Sequence, residues 1–120
     1  RVGSGGVPST FKASLLGIVT GAVAGLVACG VSAREPAPQR HVVVMAGFTF
    51  RPQTLHVAVG DTVIWLNRDV VPHTATDSAG QWDSGSVPAG GSWTLVPGEA
   101  GSRSYLCTLH PTMTGTLIVE

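Results

Sequence analysis

Apolar residues after position 40 fall into short runs that are separated by turn-forming residues. In one run Leu55, Val57 and Val59 place a large apolar side chain at every second position, which predicts a strand with one buried and one exposed face. The run 62–66 is apolar on both faces, as expected of a strand inside a sandwich. The six predicted strands are 41–45, 55–59, 62–66, 92–96, 103–107 and 115–119.

The residues between these runs favour an all-β fold. No window after residue 40 has a helical period, and the 120-residue chain contains 16 Gly and 8 Pro, which suit frequent turns. Short strands joined by such turns predict a β-sandwich or barrel. About 80 residues, 41–120, can hold a core if two sheets pack face to face. We therefore predict one folded domain over 41–120.

The chain before residue 34 has the pattern of an export leader. Segment 11–31 is almost free of charge, with Lys12 near its start and small residues near its end. A cationic start, an apolar middle and small residues before a cleavage point are typical of a signal peptide. The tetrapeptide Leu-Val-Ala-Cys that ends at Cys29 resembles the bacterial lipobox. In that motif the cysteine receives a lipid and becomes the first residue of the mature protein.

Two other interpretations of the leader, 1–33, remain open. The apolar run is about long enough to span a bilayer as a retained anchor, and cleavage after Ala33 would give an unanchored exported protein. We favour lipidation at Cys29, which holds the protein at a membrane and places it in the periplasm or on the outer face of the cytoplasmic membrane. Segment 34–40, with two prolines and mixed charge, is then a short extended linker.

Charge argues against a nucleic-acid partner. The seven basic and seven acidic residues balance to a formal net charge of zero, and only 12% of the residues are charged. Within 41–120, three arginines against six acidic residues leave a formal charge of −3. Since a protein that binds nucleic acid usually carries a clustered basic face, we exclude that partner.

A candidate metal site lies near the end of the sequence. Cys107, His110 and Met113 fall within seven residues, and His73 lies in the loop that follows strand 62–66. Thiolate and thioether sulfur favour Cu(I), whereas imidazole serves both oxidation states of copper. Two histidines, one cysteine and a weakly bound axial methionine are the ligand set of a type 1, or blue, copper site. We expect a loop between two strands to aim Cys107, His110 and Met113 at one point.

Taken one at a time, these residues have simpler explanations. A lone Cys107 would be a buried core thiol, or the disulfide partner of Cys29, a pairing that lipidation or removal of Cys29 would prevent. His110 alone would be a surface residue, and Met113 alone a packing residue. Their combination with His73 favours copper ligation by all four.

The remaining histidines and the tryptophans are not part of such a combination of candidate ligands. We expect His41 and His56 to be plain surface residues, and Trp65, Trp82 and Trp93 to be packing residues. No Gly-rich phosphate loop, paired-cysteine zinc motif or recognisable nucleophile motif is visible in the sequence.

Several segments resemble the cupredoxin family of blue copper proteins, in particular its plastocyanin and amicyanin branch. These segments are 50–55, 57–67, 71–74 and 107–119. The short Cys-x2-His-x2-Met spacing, with Thr108 and Pro111, is most similar to amicyanin. Thr74 stands where many relatives carry Asn. Its hydroxyl can donate and accept hydrogen bonds, and we expect it to hold the cysteine loop less rigidly.

The resemblance implies a Greek-key sandwich that carries single electrons between redox proteins by cycling Cu(II) and Cu(I), without enzymatic activity. It implies one copper ion in a monomer, with the exposed edge of His110 as the port for electrons. An apolar patch around that edge would suit brief docking of redox partners through a small interface. Its residues are Val71, Pro72, Leu109 and Pro111. A copper-delivery protein and a metal-free interaction module remain as alternatives.

Overall fold

The computed structural model describes residues 3, 5, 6, 14, 17, 21–27, 29–32 and 34–120. Contacts divide the chain into two units, Arg1–Ala33 and Arg34–Glu120. The described residues of the first unit form neither helix nor strand, and parts of the predicted leader, including Lys12 and Ala33, lie outside the described residues. Within the part of the chain that the structure describes, no helix is long and apolar enough to cross a membrane.

The second unit is an all-β sandwich of two four-stranded sheets, which confirms the predicted fold class. Its strands are β1 (Arg40–Ala46), β2 (Thr49–Arg51), β3 (Thr54–Val57), β4 (Thr62–Asn67), β5 (Thr76–Asp77), β6 (Ser92–Leu95), β7 (Gly101–Cys107) and β8 (His110–Val119). One sheet has the order β2-β1-β4-β6 and the other β3-β8-β7-β5. β1 pairs with β4 in parallel, as β3 does with β8, and the other neighbours are antiparallel.

Aromatic side chains fill the space between the sheets. Alternate residues of β4 are buried, and Trp65 at its centre is fully enclosed. The ring centroid of Trp65 lies 5.4 Å from that of Trp82 and 5.5 Å from those of Trp93 and Tyr105. The tryptophans are therefore packing residues, as the sequence predicts.

One predicted strand is too long. β3 ends at Val57, and Val59 is 47% exposed rather than buried. The chain turns there, because the N–H of Asp61 donates to the carbonyl of Ala58 and Gly60 adopts a φ of 88°. The prediction of a buried Val59 was wrong because the turn begins two residues earlier than the alternation suggests.

His41 is not the plain surface residue that we expected. Its Nε2 lies 2.8 Å from Oδ2 of Asp61, and its side chain is only 21% exposed. Asp61 also accepts hydrogen bonds from the backbone N–H groups of Gln39 and Ala58. These hydrogen bonds lower the pKa of Asp61 to about 2; the bond from Gln39 has the largest effect, and those from Ala58 and His41 come next. His56 is exposed, as predicted.

Three connections meet at one end of the sandwich. Because β1 and β4 run parallel, the residues that follow Ala46 and Asn67 leave their sheet at the same end. The β1–β2 turn is bonded to the β4–β5 connection, from Gly47 N–H to the Asp69 carboxylate. The same β4–β5 connection is bonded to the β7–β8 turn through Thr74. This end of the sandwich carries the candidate site.

Candidate metal centre

The structure brings three of the four predicted ligands together. The Sγ of Cys107 lies 3.7 Å from Nδ1 of His73 and 3.7 Å from Nδ1 of His110. The three atoms lie within 4.8 Å of one another. Cys107 and His73 are fully buried, whereas His110 is half-buried. Among the described residues, this is the only group of three or more His, Cys, Asp or Glu side chains close enough to share a metal ion.

A bulge in β8 explains how predicted ligands that are close in sequence converge. Cys107 pairs directly with His110 across a two-residue turn, but the preceding residue, Leu106, pairs with Thr114. Residues 111–113 are therefore extra residues on β8, and such an insertion bends the strand and redirects its side chains. The predicted loop over 107–113 is instead a tight hairpin turn followed by this bulge, and β8 begins at His110 rather than at residue 115.

Met113 is the last residue of the bulge. Its side chain is only 2% exposed and belongs to the hydrophobic core. Cys107 and Met113 are thus buried at the same end of the β7–β8 hairpin. Ligation by the Met113 thioether stays a prediction.

A carboxylate orients His73. The Nε2 of His73 lies 2.7 Å from Oδ2 of Asp69, and His73 also forms a β-bridge with Val87 through both backbone groups. We assign the Nε2 proton to this hydrogen bond, since a carboxylate accepts and the imidazole donates. The lone pair of Nδ1 then faces Cys107, which is the arrangement that a metal-binding histidine needs.

Asp69 is a functional residue that our sequence reasoning missed. Its carboxylate accepts hydrogen bonds from the backbone N–H groups of Phe48 and Gly47, at 3.0 and 2.7 Å, and from His73. The bond from Phe48 has the largest effect, and together these bonds hold the pKa of Asp69 below its usual value. The backbone N–H of Asp69 in turn donates to the buried side chain of Asn67. The signal available in the sequence was an Asp four residues before the histidine.

Thr74 links the cysteine to the His73 loop. Its backbone N–H donates to Sγ of Cys107 at 3.3 Å. Its Oγ1 accepts a 2.8 Å hydrogen bond from the backbone N–H of Thr108 and lies 3.1 Å from the Thr108 hydroxyl. Thr76 donates to the same Oγ1 at 3.0 Å. A threonine at this position therefore bonds both the sulfur and the turn that follows it.

The outer surface of the site is apolar. Pro72, Leu109 and Pro111 are exposed and Val71 is half-buried, so the predicted patch lies largely on the surface. The sequence analysis missed one further residue there. Phe48 is 50% exposed, and its ring stands edge-on to those of His110 and His73, with centroids 4.8 and 5.4 Å away.

The donor set fits copper. The cluster offers one thiol sulfur and two imidazole nitrogens, two of the three residues being fully buried. A thiolate and neutral imidazoles are ligands that copper prefers. Cys29 and Cys107 are both free thiols, the first exposed and the second buried.

Known proteins resemble this chain in both sequence and structure. Amicyanin of Paracoccus denitrificans is 36% identical over 94 residues, which cover 74% of this chain and 72% of that protein. Amicyanin-alpha of Methylorubrum extorquens is 27% identical over 105 residues, covering 82% and 88%. The Cu(I) structure of a methionine-to-alanine variant of amicyanin superposes with a TM-score of 0.65 at 36% identity, over 72% of this chain and 87% of that one. No protein-family model matches the chain.

Proposed function

The chain belongs to the amicyanin family of cupredoxins, and from that premise we propose that it carries single electrons between redox partners through one type 1 copper ion. The observation that carries this proposal is the position of the Cys107 Sγ, 3.7 Å from the Nδ1 atoms of both His73 and His110. When copper is bound, it supplies a one-electron couple between Cu(II) and Cu(I).

His73, Cys107 and His110 would hold the copper ion, and Met113 would add a weak fourth donor. His73 is held by Asp69, and Cys107 accepts a hydrogen bond from the backbone of Thr74. Ligands that are already oriented by the protein need little rearrangement when the charge of the site changes. Because Cys107 and His73 are both fully buried, water is also kept away from the Cys107 sulfur.

The half-buried imidazole of His110 is the proposed port for electrons. It is the only one of the three clustered ligands that reaches the surface, because Cys107 and His73 are fully buried. Exposed Leu109 and Pro111 on either side of it offer an apolar surface for a redox protein. A small contact of this kind suits brief encounters in which the partner leaves quickly.

We further propose that the protein acts outside the cytoplasm as a monomer without catalytic activity. The apolar leader, with its lipobox-like sequence ending at Cys29, supports export and lipid attachment to the outer face of the cytoplasmic membrane. The thiol of Cys29 is exposed, as a residue that receives a lipid must be.

The visible spectrum of the oxidised, copper-loaded protein tests the proposal. We expect an intense copper–thiolate band that Cys107→Ser abolishes, since a serine hydroxyl is a poor copper ligand at neutral pH. His56→Gln is the matched control, because His56 is exposed and belongs to β3, which does not contribute to the site. A band that survives Cys107→Ser would exclude this cysteine as the ligand. A second measurement on the copper-loaded parent separates the two candidate functions: fast electron self-exchange would favour an electron carrier over a copper-delivery protein.

A further inference from the structure

The turn between β1 and β2 holds a residue that its backbone disfavours. Ala46 pairs with Thr49, so Gly47 and Phe48 form a two-residue hairpin turn, and both have positive φ, at 57° and 56°. Turns of this kind favour Asn and Gly at their two central positions. A left-handed φ is unusual for a bulky side chain and indicates that some other contact keeps it in place.

Two contacts compensate for this strain, and both lead to the candidate metal centre. The Asp69 carboxylate accepts the N–H groups of Gly47 and Phe48 and also binds His73. The Phe48 ring meets the His110 ring at 4.8 Å with an interplanar angle of 86°, an edge-to-face geometry that aromatic rings prefer. The turn is therefore anchored to one histidine ligand and packed against the other.

The two histidines differ in how they are held. His73 is fully buried and bonds a carboxylate through Nε2. Among the described residues, the ring of His110 has no carboxylate or carbonyl partner of that kind: its hydrogen-bond contact is with Cys107, and its ring also meets that of His73, with centroids 5.1 Å apart. It follows a two-residue turn and is half-buried. The contact with Phe48 is thus a major restraint on the orientation of the His110 ring.

We propose that Phe48 is a positioning residue that holds the His110 imidazole against Cys107. This inference rests on the proposed function, because it concerns a ligand of that copper site. The turn contains a strained phenylalanine where glycine would fit more easily, and this places a ring edge-on to His110, the histidine with fewer hydrogen-bond partners. Phe48 acts through His110 and does not itself bind the metal.

Phe48→Gly tests the role of the ring while keeping the turn. Glycine adopts a positive φ without strain, so the fold should be retained, which a urea unfolding curve checks. With the Cu(I)-loaded protein and an excess Cu(I) chelator, we expect copper loss about three- to tenfold faster than in the parent, the size expected for one lost aromatic contact. Phe48→Tyr keeps the ring and should restore the parental rate. Parental copper loss from Phe48→Gly would overturn the proposal.

The metal-free protein provides a second readout that does not depend on copper binding. NMR relaxation of the histidine rings should show greater mobility of His110 in Phe48→Gly. The ring of His73 should be unchanged, because its carboxylate bond is retained. Equal His110 mobility in the parent and the variant would contradict the proposal. Because this measurement needs no copper, it tests the Phe48 contact by itself. A parent protein that fails to bind copper would refute the proposed function but would leave this test valid.

Discussion

The backbone N–H of Thr74 donates a hydrogen bond to the sulfur of Cys107, 3.3 Å away and 33 residues later in the sequence. A donor at this position withdraws electron density from the thiolate and therefore favours Cu(I) over Cu(II). The hydroxyl of the same residue accepts the backbone N–H of Thr108 at 2.8 Å. One residue thus fixes both the sulfur and the turn that leads to His110.

Thr74→Val should loosen this turn without changing the shape of the side chain. It removes the acceptor of the Thr108 N–H, and we expect the free energy of unfolding of the metal-free protein to fall by about 1 kcal/mol. Thr74→Ser keeps the hydroxyl and should retain most of that bond. Urea unfolding of the three proteins checks this, and equal stability of parent and Thr74→Val would show that the hydroxyl is not needed.

Met113 should tune the redox potential without being essential for copper binding. Met113→Gln offers a harder oxygen donor, which favours Cu(II), so we expect a blue protein with a lower midpoint potential. Met113→Leu removes the donor and should raise the potential. Voltammetry resolves such changes easily, because about 59 mV corresponds to a tenfold change in a one-electron equilibrium. Unchanged potentials in both variants would make Met113 a packing residue only.

The Asp61 carboxylate should stabilise the fold in a pH-dependent way. Its pKa is lowered from 3.8 to about 2 by the bonds from Gln39, Ala58 and His41. Its contribution is therefore fully present above about pH 4 and is lost as the pH falls toward 2. Asp61→Asn should be less stable than the parent at pH 7, with the difference shrinking as the pH approaches 2.

Urea unfolding at pH 7, 4 and 2 measures this difference. Glu120→Gln is the control, because the contact of Glu120 with His56 is exposed on both sides and should contribute little. A difference between parent and Asp61→Asn that stays constant across the range would contradict the prediction.

Gly115 should not tolerate a side chain. A Cβ at this position of β8 would lie 2.5 Å from Cζ of Tyr105, whose ring is buried in the core. We expect Gly115→Ala to lower the free energy of unfolding by about 1–3 kcal/mol through overpacking. Gly98→Ala is the control, since its Cβ would meet no atom within 4 Å. Thermal unfolding of both variants checks this, and equal midpoints would mean that the Tyr105 ring moves aside freely.

Cys29 should determine how the protein is attached to the cell. If its thiol receives a lipid, the mature protein begins at Cys29 and partitions with membranes, and Cys29→Ser abolishes both properties. Mass spectrometry of the N-terminus and detergent phase separation measure the outcome. An unmodified N-terminus at Arg34 would contradict lipidation and indicate a signal peptide that is cleaved after Ala33.

The sequence predicted the sandwich well where burial alone decides the structure. The runs that became β1, β4, β6 and β7 have a clear apolar pattern, and their bounds differ from the prediction by two residues at most. The prediction failed where a turn overrides the pattern. Val59 continues the alternation of β3 but lies in the turn that Gly60 completes. Similarly, no local pattern shows that β8 begins at His110, because the bulge depends on its pairing with Cys107.

The candidate metal centre was predictable through its ligands but not through the residues that support them. His73, Cys107 and His110 have a characteristic chemistry and spacing, and the structure brings them together. Asp69 and Phe48 act through contacts between connections that are distant in sequence, and such contacts leave no periodic signal. The importance of Phe48 depends on a backbone angle, which only the structure shows.

The bond from Gln39 to Asp61 determines where the preceding chain joins the sandwich. Gln39 lies just before β1, whereas the turn that touches His110 comes just after it, so the seven residues of β1 separate the two points by about 23 Å. A surface that is coupled directly to the side chain of Gln39 therefore meets the far end of the domain and leaves His110 facing the solution. A protein immobilised in this way on an electrode should exchange electrons with a dissolved mediator more readily than with the electrode beneath it.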